Sequence, residues 1–221
     1  MDSGAHSAAQ AADPLSDRDV TVERAESLDV GEIADVIQDV GFECTDCGDC
    51  CTSDDESLAV TVFPDERRAL AEASEAEDAS PEEVTEPSPF GGKEKFEWTV
   101  RRDGCGDCFF HQGDACSVYG DRPSVCRTYP FAVRFGDDVG VGGELSFELD
   151  SVEATLVVGE CEGTGLDITR EDALELARAV KRRTVKEESE ADELLDAYED
   201  IEPPEGHVVV HDSEGAHVVP E

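Results

Sequence analysis

The sequence predicts an α+β fold, a small single domain of short strands and hairpins flanked by helices. Three observations carry that expectation. Nine cysteines fall between residues 44 and 161 of a 221-residue chain, four of them in the run Cys44-Thr45-Asp46-Cys47-Gly48-Asp49-Cys50-Cys51. From residue 96 to 158, short stretches alternate apolar with polar residues and are broken by turn clusters. On either side lie segments whose apolar residues recur at helical spacing.

Residues 1 to about 18 are rich in Ala, Ser and Asp without apolar period, and read as a disordered acidic leader. The first helix is expected near 30–40. Asp29 is its N-cap, Glu32 completes a capping box, Val30, Ile33, Val36, Ile37 and Val40 form its apolar side, and Gly41 stops it. That stop delivers the chain into the cysteine run. Leu58 to Phe63 reads as a strand, and Pro64 with Asp65 and Glu66 opens a helix to about Ala76. Residues 74–92, rich in Glu, Ser and Pro, read as an exposed loop, a poor place for buried groups.

Phe96, Trp98 and Val100 alternate as a half-buried strand should. Phe109-Phe110, Cys116 to Tyr119, Phe131/Val133/Phe135, Leu145/Phe147/Leu149 and Val152 to Val158 follow as short strands, separated by turns such as Gln112-Gly113-Asp114 and Gly136-Asp137-Asp138. Thr169, with Asp172 at N3, caps a helix that buries Leu174, Ala177 and Val180 and frays toward Tyr198. Pro203-Pro204 ends it, and Val208–Val210 and Val218-Val219 either form a terminal strand or stay mobile. The expected organisation is a leader at 1–18, a cysteine-cluster domain at 19–186 with its motif core at 42–166, and an acidic C-terminal extension at 187–221.

Fifty-six acidic residues stand against 17 basic ones, a net charge of −39, and the acids occur on every segment. With 38% apolar residues and only four lysines, this pattern fits adaptation to molar salt better than disorder, as in a haloarchaeal cytoplasm. Such a surface lacks the cations that face phosphates, which speaks against nucleic acid and anionic membranes as partners.

Three readings of the cysteines compete. The N-terminus has no basic and apolar secretory pattern, no transmembrane run exists, and nine is an odd count, so a disulfide framework is the weakest. Core packing accounts for an isolated thiol such as Cys161. It does not explain C-x-x-C-x-x-C-C in a loop of Gly and Asp. Thiolates two residues apart within a turn converge on one ion or cluster, and Gly48 permits the positive φ that wraps backbone around a ligand. Consecutive side chains tend to diverge, so Cys50 and Cys51 are expected to serve different metals or to leave one thiol in support. Asp46, Asp49 and Asp107 read as surface in a chain this acidic.

The segments Phe42-x-Cys44-x-x-Cys47-Gly48-x-Cys50-Cys51, Cys108-Phe109-Phe110, Cys116-Ser117-Val118-Tyr119 and Arg122-Pro123-x-x-Cys126-Arg127-x-Tyr129-Pro130-Phe131 resemble, in order, the YkgJ-type cysteine-cluster proteins. These are described as zinc- or iron-chelating domains and include flagellin lysine N-methylases. A closing Cys161-x-Gly163-x-Gly165 is similar too, with Glu162 where the family pattern has proline. The resemblance implies metal binding by Cys44, Cys47, Cys50, Cys51, Cys108, Cys116, Cys126 and Cys161, either around an iron–sulfur cluster (4Fe-4S) or around zinc. It implies a local role for Arg122, Arg127 and Tyr129 beside the thiols. Cys105 lies outside the pattern, and His111 reads as a hydrogen-bonded structural residue.

The functional expectation is a non-catalytic or accessory metal-binding protein, with a metal ion or cluster and a protein as partners. The alternative implied by the resemblance is a protein-lysine N-methyltransferase. Thiol redox chemistry at Cys105-Gly106-Asp107-Cys108 ranks last, because no helix N-terminus or cationic setting is expected there.

Overall fold

The computed structural model describes residues 18–52, 59–74, 79–113, 115–136 and 145–221. Among them helices and small sheets mix in an α+β fold. Residues 1–17 of the leader, Leu58 at the start of the expected first strand, residues 75–78, and Asp114 and Asp137-Asp138 of the expected turns lie outside the described residues.

Helix α1 (Arg18–Ser27) was not expected, because it carries almost no apolar stripe: Ala25 is its buried contact, and Arg24 lays its guanidinium 5.0 Å from the Phe135 ring. Helix α2 (Val30–Val40) forms where its signals stand. The Asp29 carboxylate accepts from the Glu32 backbone N–H at 3.0 Å, and Gly41, at φ 73°, donates back to Ile37. Strand β1 (Thr61–Val62) leads into helix α3 (Pro64–Ala73), started by Pro64.

The exposed loop expected at 74–92 is corrected. Ser80, Pro81 and Glu83 start a short helix α4 (Pro81–Val84), with Glu83 accepting from the Ser80 N–H at 2.8 Å, and strand β2 (Thr85–Pro87) follows. Val84, Thr85 and Ser88 are buried. After β3 (Glu94–Lys95), strand β4 (Trp98–Val100) is buried at all three positions, because it is the middle strand of the antiparallel sheet β1-β4-β2. Phe96 is outside that strand and 49% exposed, so the expected alternation from Phe96 does not hold.

A hairpin of β5 (His111–Gln112) and β6 (Ala115–Cys116) turns at Gly113, φ 66°. Phe109-Phe110 forms a turn before it, and a 3-10 turn at Tyr119–Asp121 replaces the rest of the expected strand. Helix α5 (Ser124–Thr128) leads into β7 (Phe131–Phe135), which with β8 (Leu145–Leu149) and β9 (Ala154–Val158) makes an antiparallel sheet of order β7-β9-β8. Helix α6 (Arg170–Ala197) starts on Thr169, whose hydroxyl accepts from Asp172 N–H at 3.2 Å. It runs unbroken past residue 186, where the domain limit was expected. β10 (His207–Asp212) pairs antiparallel with β11 (Gly215–Pro220) and parallel with β3, and Val208, Val209 and Val210 are buried.

Two apolar cores result. The first joins α2, the β7-β9-β8 sheet and α6 through Ile33, Ile37, Phe131, Leu156, Ala177 and Val180. The second joins α3, β4 and β10 through Leu70, Trp98, Val100, Phe110, Val118 and Val210. Each fully buried large apolar side chain contributes roughly 1.5–3 kcal/mol. Phe42 packs on the first core, edge-on to Phe131 at 5.6 Å, while Cys108 and Cys116 pack on the second. The cysteine run therefore spans the seam between them.

Candidate metal centre

The run leaves α2 at Gly41 and is held at both ends. On the entry side the closing segment docks on it: Glu43 N–H donates to Gly163 C=O at 3.1 Å, Phe42 bridges Thr164, and Gly165 N–H donates to Gly41 C=O at 3.0 Å. Gly163 permits this approach, since a Cβ there would stand 2.1 Å from the Glu43 carbonyl oxygen. This docking places Cys161 and Glu162 beside the loop.

At the far end Cys51 and Thr52 N–H groups both donate to Gly48 C=O, at 2.7 and 3.0 Å, winding the chain into one helical turn. Gly48 takes φ 81°, and His111 Nε2 lies 3.0 Å from where its Cβ would be, so the imidazole backs the turn. The divergence expected for Cys50 and Cys51 is not found: their Sγ atoms are 4.0 Å apart. In a helical turn neighbouring side chains are offset by about 100°, not by the opposite faces of a strand.

Cys108 N–H donates to Cys51 C=O at 2.7 Å, stitching the two cysteine segments together. The sulfurs meet as well. The Cys51 thiol, 4.0 Å from that of Cys50 and neighbour to that of Cys108, lowers each of those thiols from 9.0 to about 7 and is itself pushed up. Burial pushes Cys126 and Cys116 up, and the charges of Cys108 and Arg122 reach both. Cys50, Cys51, Cys108, Cys116 and Cys126 thus share one neighbourhood with Arg122. A cavity of about 10 Å³ lined by Cys50, Cys51, Val60, Val100, Arg102 and Cys108 opens there. That is room for about one water-sized body.

Cys161 is raised by burial and next by the charges of Cys47 and Cys44; Tyr129 is raised by burial and next by Cys161. These residues form an outer neighbourhood. Cys44, Cys47 and Cys50 are exposed, Cys161 is half-buried, and Cys105 stands apart in a turn where its N–H donates to Asp103 at 2.7 Å. All nine cysteines are free thiols.

Arg122 pairs with no acid among the described residues. It stacks 3.6 Å over the Tyr119 ring, donates to the Tyr119 carbonyl, and lowers Cys50 through its charge. Arg127 donates to the Arg122 carbonyl at 2.5 Å, and the Tyr129 hydroxyl donates to the Glu160 carbonyl. Arg102, unremarked in the sequence, lines the thiol cavity and donates to Gly106 C=O at 3.2 Å. Asp49 is exposed as expected, yet its carboxylate, that of Glu162 and the Cys47 sulfur all lie within 4.8 Å of one another. The signal for Glu162 was its place beside Cys161, where the resemblance expects proline.

As a donor set, thiols from two segments beside a guanidinium fit zinc or an iron–sulfur cluster, both of which take thiolate ligands. A family model described as "CxxCxxCC: Putative zinc- or iron-chelating domain" matches residues 43–153, half of the chain. The chain belongs to the CxxCxxCC family. The CxxCxxCC match contains both halves of the thiol cluster and stops short of Cys161 and Glu162. No curated protein and no solved structure matches the chain. No described helix is long and apolar enough to cross a membrane.

Proposed function

We propose that this chain is an accessory, non-catalytic metal-binding protein that holds an iron–sulfur cluster, or zinc, on Cys44, Cys47, Cys50, Cys51, Cys108, Cys116, Cys126 and Cys161. The observation that carries the reading is the junction of Cys50, Cys51 and Cys108, where backbone pairing and sulfur contacts join two distant segments. Ordinary packing has no use for polarised thiols gathered at the seam of two cores. A metal there ties the cores together, so its binding energy is also folding energy.

Arg122 offsets thiolate charge, while Arg127 and Tyr129 brace the segments that carry Cys126 and Cys161. The small cavity beside the sulfurs suits an ion or cluster edge better than an organic substrate. Exposure of Cys44, Cys47 and Cys50 on one side leaves the centre open to a protein partner, as a carrier or electron-transfer protein requires. A net charge of −39 spread over the surface fits a halophilic cytoplasm.

Anaerobic purification followed by elemental analysis, acid-labile sulfide assay and visible absorption tests this. Iron with sulfide and colour selects the cluster, and stoichiometric zinc without colour selects mononuclear sites. A folded chain that takes up neither metal sinks the proposal.

A further inference from the structure

The C-terminal hairpin lies beyond the residues matched by the family model and takes no part in the thiol centre. Its second strand, β11, stands at the edge of the sheet β11-β10-β3, and no further described strand pairs with its outer side. A sheet edge is ordinarily guarded by charge. The other edge strands of three residues or more follow that rule, with Glu86 in β2, Arg134 in β7 and Glu148 in β8. Gly215-Ala216-His217-Val218-Val219-Pro220 carries no carboxylate, lysine or arginine, in a chain of which 33% is charged.

The register decides which backbone groups face outward. Glu221 N–H donates to Gly206 C=O at 3.0 Å, whereas Val209 N–H turns the other way, to Lys93 C=O at 2.8 Å. Antiparallel alternation then sets the amides and carbonyls of Gly215, His217 and Val219 against β10, and turns those of Ala216 and Val218, with the Pro220 carbonyl, to the open edge. This row is complementary to itself. In two antiparallel copies centred on Val218, each Val218 N–H donates to the other Val218 C=O, and each Ala216 N–H donates to the other copy's Pro220 C=O. Pro220 has no N–H to return, so the ladder stops there.

We propose that β11 pairs antiparallel with β11 of a second copy of this chain about Val218, joining the two C-terminal sheets into one across a two-fold axis. Val218 is 44% exposed, and on its face of the sheet the half-exposed Phe96 and Tyr198 rings lie against His211. At the axis each Val218 side chain meets its own copy, an apolar cross-strand pair, and neither strand brings an acid to the other. On the far side of the sheet β3 offers only Glu94 and Lys95, so one pairing consumes the open edge and assembly closes at the dimer. The two copies, each at −39, repel through solvent, so salt strengthens the pairing. The dimer goes beyond the metal-binding reading and does not depend on it.

The test is sedimentation of the full chain, purified anaerobically, over a concentration series at low salt and in molar potassium chloride. Hydrogen exchange of the 213–221 segment is followed by mass spectrometry on the same samples. The mass is expected to rise from 23.8 kDa to twice that value, at lower concentration in molar salt, where the screening length falls to about 3 Å. The Ala216 and Val218 amides should exchange more slowly in the dimer than in the diluted monomer. V218K sets two ammonium groups at the axis and should weaken pairing by about tenfold or more. V218P removes the axial donor, leaves the bonds to β10 in place, and should do the same. L145K, which adds the same charge at an exposed position on a different sheet, should leave the dimer intact. A wild-type chain that stays monomeric throughout overturns the pairing. So does a dimer whose Ala216 and Val218 amides exchange as fast as the monomer's, one that survives V218K and V218P, or one that L145K weakens equally.

Discussion

Gly163→Ala is the substitution whose effect follows most directly from the geometry. A Cβ at this position would stand 2.1 Å from the Glu43 carbonyl oxygen, 3.0 Å from its carbon and 3.3 Å from Phe42 Cε2, where real Cβ contacts stay beyond 3.0 Å. The nearest obstacle is backbone, so the two segments must part. Overpacking of this kind costs about 1–3 kcal/mol, and the Glu43 N–H to Gly163 C=O bond that is strained contributes about 0.5–1.5 kcal/mol. A loss of about 2–4 kcal/mol lowers the unfolding midpoint of a chain this size by about 5–15 °C. The control is Gly165→Ala, which meets no atom within 4 Å and carries only the left-handed strain of φ 87°, about 1–2 kcal/mol. Thermal unfolding of the metal-loaded proteins, followed by circular dichroism, measures both. Gly163→Ala should also release metal more readily, because Cys161 moves with the segment. A Gly163→Ala protein as stable as wild type, or no worse than Gly165→Ala, refutes the docking that builds the outer half of the site.

Further outcomes follow from the same geometry. Cys47→Ser and Cys126→Ser should each lower metal content and cooperative stability, while Cys105→Ser, in its separate turn, should leave metal content unchanged and shift stability by no more than about 0.5 kcal/mol, the scale of surface substitutions. Retention of full metal by Cys126→Ser would confine the site to the first loop. In the metal-free protein, alkylation mapped by mass spectrometry should find Cys50 and Cys108 half-reactive near pH 7, while Cys126 stays protected by burial. Because the folded-state values of Cys50 and Cys108 lie below their ordinary 9.0, their contribution to stability is present above about pH 9 and is lost as pH falls through 7. Arg122→Gln should move the Cys50 alkylation midpoint upward, and an unmoved midpoint would remove the arginine from the electrostatics of the thiols. With a net charge of −39, folding should strengthen steeply from low salt to molar potassium chloride. Salt-independent unfolding would give the acidity another purpose.

Several local signals in the sequence were legible where a short stretch decided the outcome. Asp29 with Glu32, Gly41, and Thr169 with Asp172 bound their helices as their chemistry dictates, and Gly48 takes the positive φ that its place in the run suggested. The strands from Phe131 to Val158 form the sheet their alternation implied. What stayed hidden depends on partners far away in the chain. The parallel pairing of β10 with β3, the burial of Val84 and Thr85, and the Cys51–Cys108 junction each need the tertiary fold to exist first. Ser80-Pro81-x-Glu83 was a readable capping signal, masked by a compositional reading of the surrounding Glu, Ser and Pro. The sulfur contact of Cys50 with Cys51 runs against the general divergence of consecutive side chains, because the chain makes a helical turn at this point. Glu162 stood out only as the residue where the family pattern has proline, and its convergence with Cys47 and Asp49 arises only from the docking at Gly163.

The most direct test of the central claim is X-ray absorption at the metal edge of the anaerobically purified protein, desalted to remove weakly held ions. A shell dominated by sulfur is predicted, at about 2.3 Å if the metal is zinc, and it should lose sulfur scatterers in both Cys47→Ser and Cys126→Ser. A shell of nitrogen and oxygen alone, or one unchanged by either substitution, would contradict a metal centre built from thiols of both segments.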